Sequence, residues 1–185
     1  MQHLRSMSIL YCGLLLVSVT SFAAENYEGK ELYSQVNIWY EKPTKILSTN
    51  YHVGGVIPAG TKVTIGDASK KALEFKDANG TEYRIICKLK HNNVPCDELP
   101  ATWFGTTDPM AKGGKFEKFT KEEKEYVRAG YIREGMSREA VLMAYGYPPT
   151  IRTPSLDQAI WTYWKNKWVT EIARFDDKGK VVEHR

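Results

Sequence analysis

Apolar positions recur every second residue through much of the first half of this 185-residue chain, and at helical spacing only after position 120. Residues 31–40 are rich in strand formers, with Leu32, Val36 and Ile38 apolar. Residues 62–65 alternate polar and apolar, as a half-buried strand does, and 72–76 alternate again. The turn residues Asp77-Ala78-Asn79-Gly80 then send 81–87 back as a partner strand. Residues 54–61 read as loop punctuation around the apolar pair Val56-Ile57. Several short strands so spaced predict a small barrel over residues 26–95.

After 120 the spacing lengthens. Thr120 with Glu123 three residues on fits a capping box for a helix over 121–129 that Gly130 ends. Ser137 is the N-cap of a second helix running to Tyr145, with Met136 and Val141 placed as a hydrophobic staple. Gly146 and then Pro148-Pro149 stop it. Val141, Leu142 and Tyr145 give it one apolar face that must be covered. Residues 158–164 and 168–175 read as strands joined by the turn 165–167, with a short last strand at 180–182 after the turn 176–179. Two helices followed by three strands predict a three-stranded antiparallel sheet with the helix face buried on one side. Between the halves, residues 96–119 carry Pro100, Gly105, Pro109 and Gly113-Gly114 among Trp103, Phe104, Phe116 and Phe119, and read as an aromatic-containing connector.

The first residues set the compartment. Arg5 precedes an apolar run over 9–19, followed by Ser21, Ala23 and Ala24, the three-part pattern of a secretory signal peptide that ends after Ala23. Tyr11 before Cys12, and the apolar run continuing beyond it, make that cysteine a passenger in the leader and not a lipid-attachment site. Cys87 and Cys96 then remain, and in an oxidising compartment a disulfide is the expected state. A metal site using Cys87, His91 and Cys96, or two free thiols, are the alternatives; the spacing matches no paired zinc pattern and shows no fourth ligand. Charged residues make up 26% of the chain and aromatics 12%, which places it among globular and not disordered sequences. The formal charge of +4 includes Arg5, and acids are interspersed throughout, so nucleic acid is not an expected partner.

Two resemblances follow from motifs. Ile132-Arg133-Glu134-Gly135-Met136-Ser137-Arg138-Glu139-Ala140-Val141, then Gly146-Tyr147-Pro148, Trp161-Thr162-Tyr163, Arg174-Phe175 and Gly179-Lys180-Val181 resemble the SmpA/OmlA domain, the fold of the BamE lipoprotein of outer-membrane barrel assembly. Val36-Asn37-Ile38, Ser48-Thr49-Asn50 and Ile57-Pro58-Ala59-Gly60-Thr61 resemble a bacterial SH3-like domain. Beside the signal peptide 1–23 and the connector 96–119, the resemblances imply an α+β chain with an SH3-like β-barrel over 26–95 and a BamE-like αα-βββ unit over 120–185. They imply a periplasmic or secreted protein, outer-membrane association included, that binds an envelope protein or polymer without chemistry and touches membranes only peripherally.

The candidate binding residues are Trp39, Tyr40 and Tyr51, placed where an SH3-like barrel builds its ligand groove, and Trp161, Tyr163 and Trp168 on the final sheet. Neighbours on a strand face opposite ways, so Trp39 and Tyr40 cannot both point inward; Trp161 and Tyr163 share a face. Exposed aromatics favour interfaces. No cofactor, metal or catalytic residue is expected: the histidines His52, His91 and His184 are widely spaced and lack an adjacent nucleophile motif. The charge run Glu122-Glu123-Lys124-Glu125 reads as a solvated helix face. Other function classes remain, a secreted inhibitor that caps an enzyme's active site and an envelope hydrolase.

Overall fold

The computed structural model describes residues 26–185, so the leader and Cys12 lie outside the described residues. The protein is a mixed α+β molecule with two hydrophobic cores. The first core lies inside a curled six-stranded sheet built from β1 (Glu31–Ser34), β3 (Ile46–Leu47), β5 (Lys62–Ala68), β6 (Ala72–Asp77), β7 (Glu82–Ile86) and β8 (Phe104–Gly105). Their order is β3-β7-β6-β5-β1-β8, all antiparallel except β3 against β7. A separate pair, β2 (Ile38–Tyr40) and β4 (Gly55–Ile57), lies beside it.

Alternation decides what each strand buries. Val63 and Ile65 of β5, Leu73 and Phe75 of β6, and Tyr83 and Ile85 of β7 all face the core, while the residues between them face out. Asp77 sets the β6–β7 turn by accepting from the amides of Asn79 and Thr81 with Oδ1. Beyond β7 comes a single helical turn, α1 (Leu89–Asn92). Cys87 and Cys96 are joined as a disulfide with Cα atoms 5.6 Å apart. Their amides donate to Lys71 and Lys70 carbonyls, which ties the segment to the β5–β6 hairpin.

Two expectations are corrected here. Residues 31–40 are not one strand: the chain turns at 35–37, so β1 joins the large sheet and β2 joins β4. The glycine-rich stretch after position 54 holds a strand, β4, although Gly54 itself keeps φ at +78°. The connector also does more than link. Trp103, on the short helix α2 (Pro100–Trp103), and Phe104 belong to the first core, whereas Phe116 and Phe119 belong to the second. The sheet extends past residue 95, because β8 pairs with β1.

The second core lies between α3 (Lys121–Ala129), α4 (Arg138–Tyr145) and a three-stranded antiparallel sheet of β9 (Ile160–Trp164), β10 (Thr170–Phe175) and β11 (Val181–His184), ordered β11-β10-β9. Both expected N-caps are present. Thr120 and Glu123 form the capping box, and the Ser137 hydroxyl accepts from the Ala140 amide. Glu123 corrects the reading of its charge run, being only 5% exposed. Its carboxylate accepts from the Thr120 and Ser137 amides and from Lys180 Nζ, and so joins both helix starts to the turn before β11. Despite partial burial, those donors hold its pKa down at about 2.

The last turn of α4 explains how the halves meet. A helix leaves its final four carbonyls without intrahelical partners. Here the Gly146 amide takes Leu142, the Asn37 amide takes Met143, the Asn37 side chain takes Ala144, and Asn50 Nδ2 together with His52 Nε2 takes Tyr145. Asn37 Nδ2 also donates to the Val127 carbonyl of α3, and its Oδ1 accepts from Ala59. The first half therefore caps the helices of the second. Gly146 is required for this approach, because a Cβ there would lie 2.2 Å from Asn50 Nδ2.

Candidate functional site

β2 ends with two aromatics in succession. Trp39 leans toward the end of α3, where Gly130 makes room: a Cβ on Gly130, which holds φ at +68°, would lie 2.5 Å from Trp39 Cζ2. Tyr40 turns the other way and meets Tyr83 edge-on, with ring centroids 5.8 Å apart. Tyr51 follows Asn50, whose side chain spans the seam by accepting from the Trp39 amide and donating to Tyr145.

From the other half comes the β9–β10 turn. Asn166 Oδ1 accepts from the amides of Trp168 and Val169, which closes the turn and projects Trp168 outward at 80% exposure. Lys167 Nζ sits 4.6 Å from the Trp168 ring centroid. Trp39, Tyr40, Tyr51 and Trp168 line a common groove of about 420 Å³. Leu47 and Val53 add apolar lining, while exposed Glu41, Lys45 and Lys167 and half-buried Asn166 complete it. Sequence reasoning named these four aromatics separately, and the fold brings them together.

The other two aromatic candidates do not belong there. Trp161 is 0% and Tyr163 1% exposed, so neither can meet a partner in this fold. Their shared face is the core face: Trp161 packs on Phe175 with centroids 4.6 Å apart, and the Tyr163 hydroxyl donates to the Gly146 carbonyl.

Behind the groove lies a polar cluster. His52 stacks on Tyr145 with ring centroids 3.4 Å apart and meets Trp39 and Tyr163 edge-on. Its Nε2 lies 2.8 Å from the Tyr145 carbonyl, which can only accept, so the neutral ring carries its proton on Nε2. Nδ1 is enclosed without a partner among the described residues. Burial lowers the His52 pKa to about 4, outweighing the pull of that carbonyl and of Glu171. The Tyr145 hydroxyl donates to Glu171, which also pairs with Lys165 at 3.0 Å and lies 3.6 Å from His184 Nε2. His184, Tyr145 and Lys165 hold the Glu171 carboxyl well below the ordinary carboxylate range. Burial and the Glu171 carboxylate push the Tyr145 phenol well above its ordinary value. Because Lys165 begins the β9–β10 turn, this chain of contacts fixes the base of the loop that carries Trp168.

Scans against protein-family models, curated proteins and solved structures each found no match for the chain.

The cluster was not legible as a unit. His52 was visible only as a lone histidine, Asn37 and Asn50 only as parts of a motif, and Glu171 only as an alternating strand position. No local spacing links positions 37, 52, 145 and 171. The disulfide decides the fate of the cysteines: with Cys87 and Cys96 bonded to each other, neither sulfur is a metal ligand or a nucleophile, and His91 lies exposed on α1. A second recess of about 590 Å³ runs along β5–β7, where Glu74 and Arg84 already pair at 3.3 Å on the surface. Among the described residues, no helix is long and apolar enough to cross a membrane.

Proposed function

We propose that the protein is a non-enzymatic adaptor of the bacterial cell envelope, which holds a protein or polymer partner in the aromatic groove where its two halves meet. On this reading the first half is an SH3-like barrel and the second a BamE-like unit. The observed order of two helices and three antiparallel strands agrees with the latter. The observation that carries the proposal is the convergence of Trp39, Tyr40 and Tyr51 with Trp168, drawn from halves far apart in sequence, on one groove. Flat rings supply a large contact area at low entropic cost, and the lysines beside them add long-range attraction for acidic groups. The groove's walls are held by buried capping bonds, so little ordering remains for the partner to impose.

The test is photo-crosslinking in intact cells that export the protein. A benzoylphenylalanine in place of Tyr51 or Trp168 is expected to trap a discrete envelope component, and one in place of exposed Lys76 is not. Equal trapping at all three positions, or trapping at Lys76 alone, refutes the groove. A soluble enzyme trapped one-to-one would favour the inhibitor reading.

A further inference from the structure

We propose that β4 is a docking edge for an extended peptide, which pairs its backbone with Val56 and seats an apolar side chain in a cavity beside Trp39. This surface adjoins the aromatic groove, with Trp39 between the two. β4 pairs only with β2 among the described strands, in the register Ile38 with Ile57, Trp39 with Val56 and Tyr40 with Gly55. The amides of Asn37 and Trp39 both point away from β4, bonding Met143 and Asn50. The peptide groups of Ile38 and Tyr40 must then face β4, since alternate residues of a strand bond to alternate sides. On β4, Ile57 and Gly55 answer them. The N–H and C=O of Val56 therefore point outward, along the open edge.

The register also says where a partner's side chain goes. A residue paired directly with Val56 projects to the same face of the sheet as Val56, which is the face of Trp39. On that face lies a cavity of about 270 Å³, bounded by Val56, Trp39, Ala59, Met110, Val127 and Gly130. Its lining is apolar and Val56 is 38% exposed, so one branched or aromatic side chain can enter. Exposed Arg128 also borders the cavity, with its guanidinium over the Phe116 ring, and favours an acid two positions from the inserted residue, on the same face of the peptide. A main-chain donor and acceptor, an apolar socket and a cation together fit an extended segment with an apolar residue and an acidic one two positions apart. Strand addition of this kind draws affinity from the backbone and selectivity from the socket. Gly54 before the edge and Pro58 after it keep it short, which limits unspecific pairing.

The test is titration of the isotope-labelled protein with the capped hexapeptide Glu-Thr-Leu-Thr-Val-Thr, followed by amide chemical shifts. Shifts are expected at Val56, Ala129 and Gly130. A peptide N-methylated at leucine should bind about tenfold more weakly, the effect of one lost main-chain hydrogen bond. Arg128→Glu should weaken the parent peptide, but not one with glutamine in place of glutamate. Trp168→Ala, which removes a groove residue that does not line this cavity, should leave the peptide's affinity at β4 as it was. Absence of shifts at millimolar peptide, shifts confined to other residues, or equal binding of the N-methylated peptide overturns the proposal.

Discussion

The two halves close their backbones in different ways. The first is self-contained: hydrogen-bonded strands satisfy one another, and a disulfide holds the segment that follows the last hairpin strand. The second starts its helices with its own side chains, Thr120, Glu123 and Ser137, yet ends α4 on side chains of the other half. One half can tolerate separation on these grounds and the other cannot. The seam is thus a structural requirement of the second half, and the groove inherits its geometry from it.

Variants on each side of the seam sharpen that contrast. The largest effect belongs to Asn37→Ala, which strips partners from the Val127 and Ala144 carbonyls and the Ala59 amide. Leaving three buried main-chain groups unsatisfied should cost about 4 kcal/mol in urea unfolding. A loss below about 1 kcal/mol would show that the seam does not need Asn37.

Acid is the second probe. The fold keeps His52 neutral, with a pKa of about 4 against 6.5 for the free side chain. Its contribution is full above pH 6.5 and declines as pH falls from 6.5 to 4, by about 3 kcal/mol in all. His52→Gln keeps a donor for the Tyr145 carbonyl without titrating, so it should flatten this part of the stability profile. Glu123 acts lower: with its pKa held at about 2, its contribution is full above pH 4.5 and is lost only below that. An unchanged slope between pH 6.5 and 4 in His52→Gln would place the titrating group elsewhere.

Breaking the disulfide tests the other half. Replacing Cys87 and Cys96 by serine opens a short loop and should cost about 2–3 kcal/mol, leaving the pH 6.5 to 4 slope untouched. The smallest effect is expected at Trp168→Ala. An 80% exposed side chain should change stability by less than about 0.5 kcal/mol, while partner trapping at Tyr51 is lost. A large stability loss there would make Trp168 a structural residue.

Much of this arrangement could be read from short-range signals. The capping box at Thr120, the Ser137 cap, the Gly146 stop and the β6–β7 turn each lie within a few residues, and local hydrogen-bond chemistry fixes them. Burial direction was harder. Trp161 and Tyr163 were known to share a face, but which face met the helices depended on packing. Trp168 was expected at the start of a strand, and the Asn166 turn instead lifts it out of the sheet. The capping of α4 was out of reach, because Asn37 and Ala144 are separated by 107 positions. Nothing near an asparagine announces a carbonyl that distant.

The dependence of the second half on the first is tested most directly by hydrogen exchange across a denaturant series, comparing the Leu73 amide with the Ala173 amide. Ala173 should open at a lower free energy than Leu73, and Asn37→Ala should lower Ala173 more than Leu73. If Ala173 opens at a higher free energy than Leu73, or if the substitution leaves Ala173 unchanged, the second half does not depend on the first and the seam is incidental.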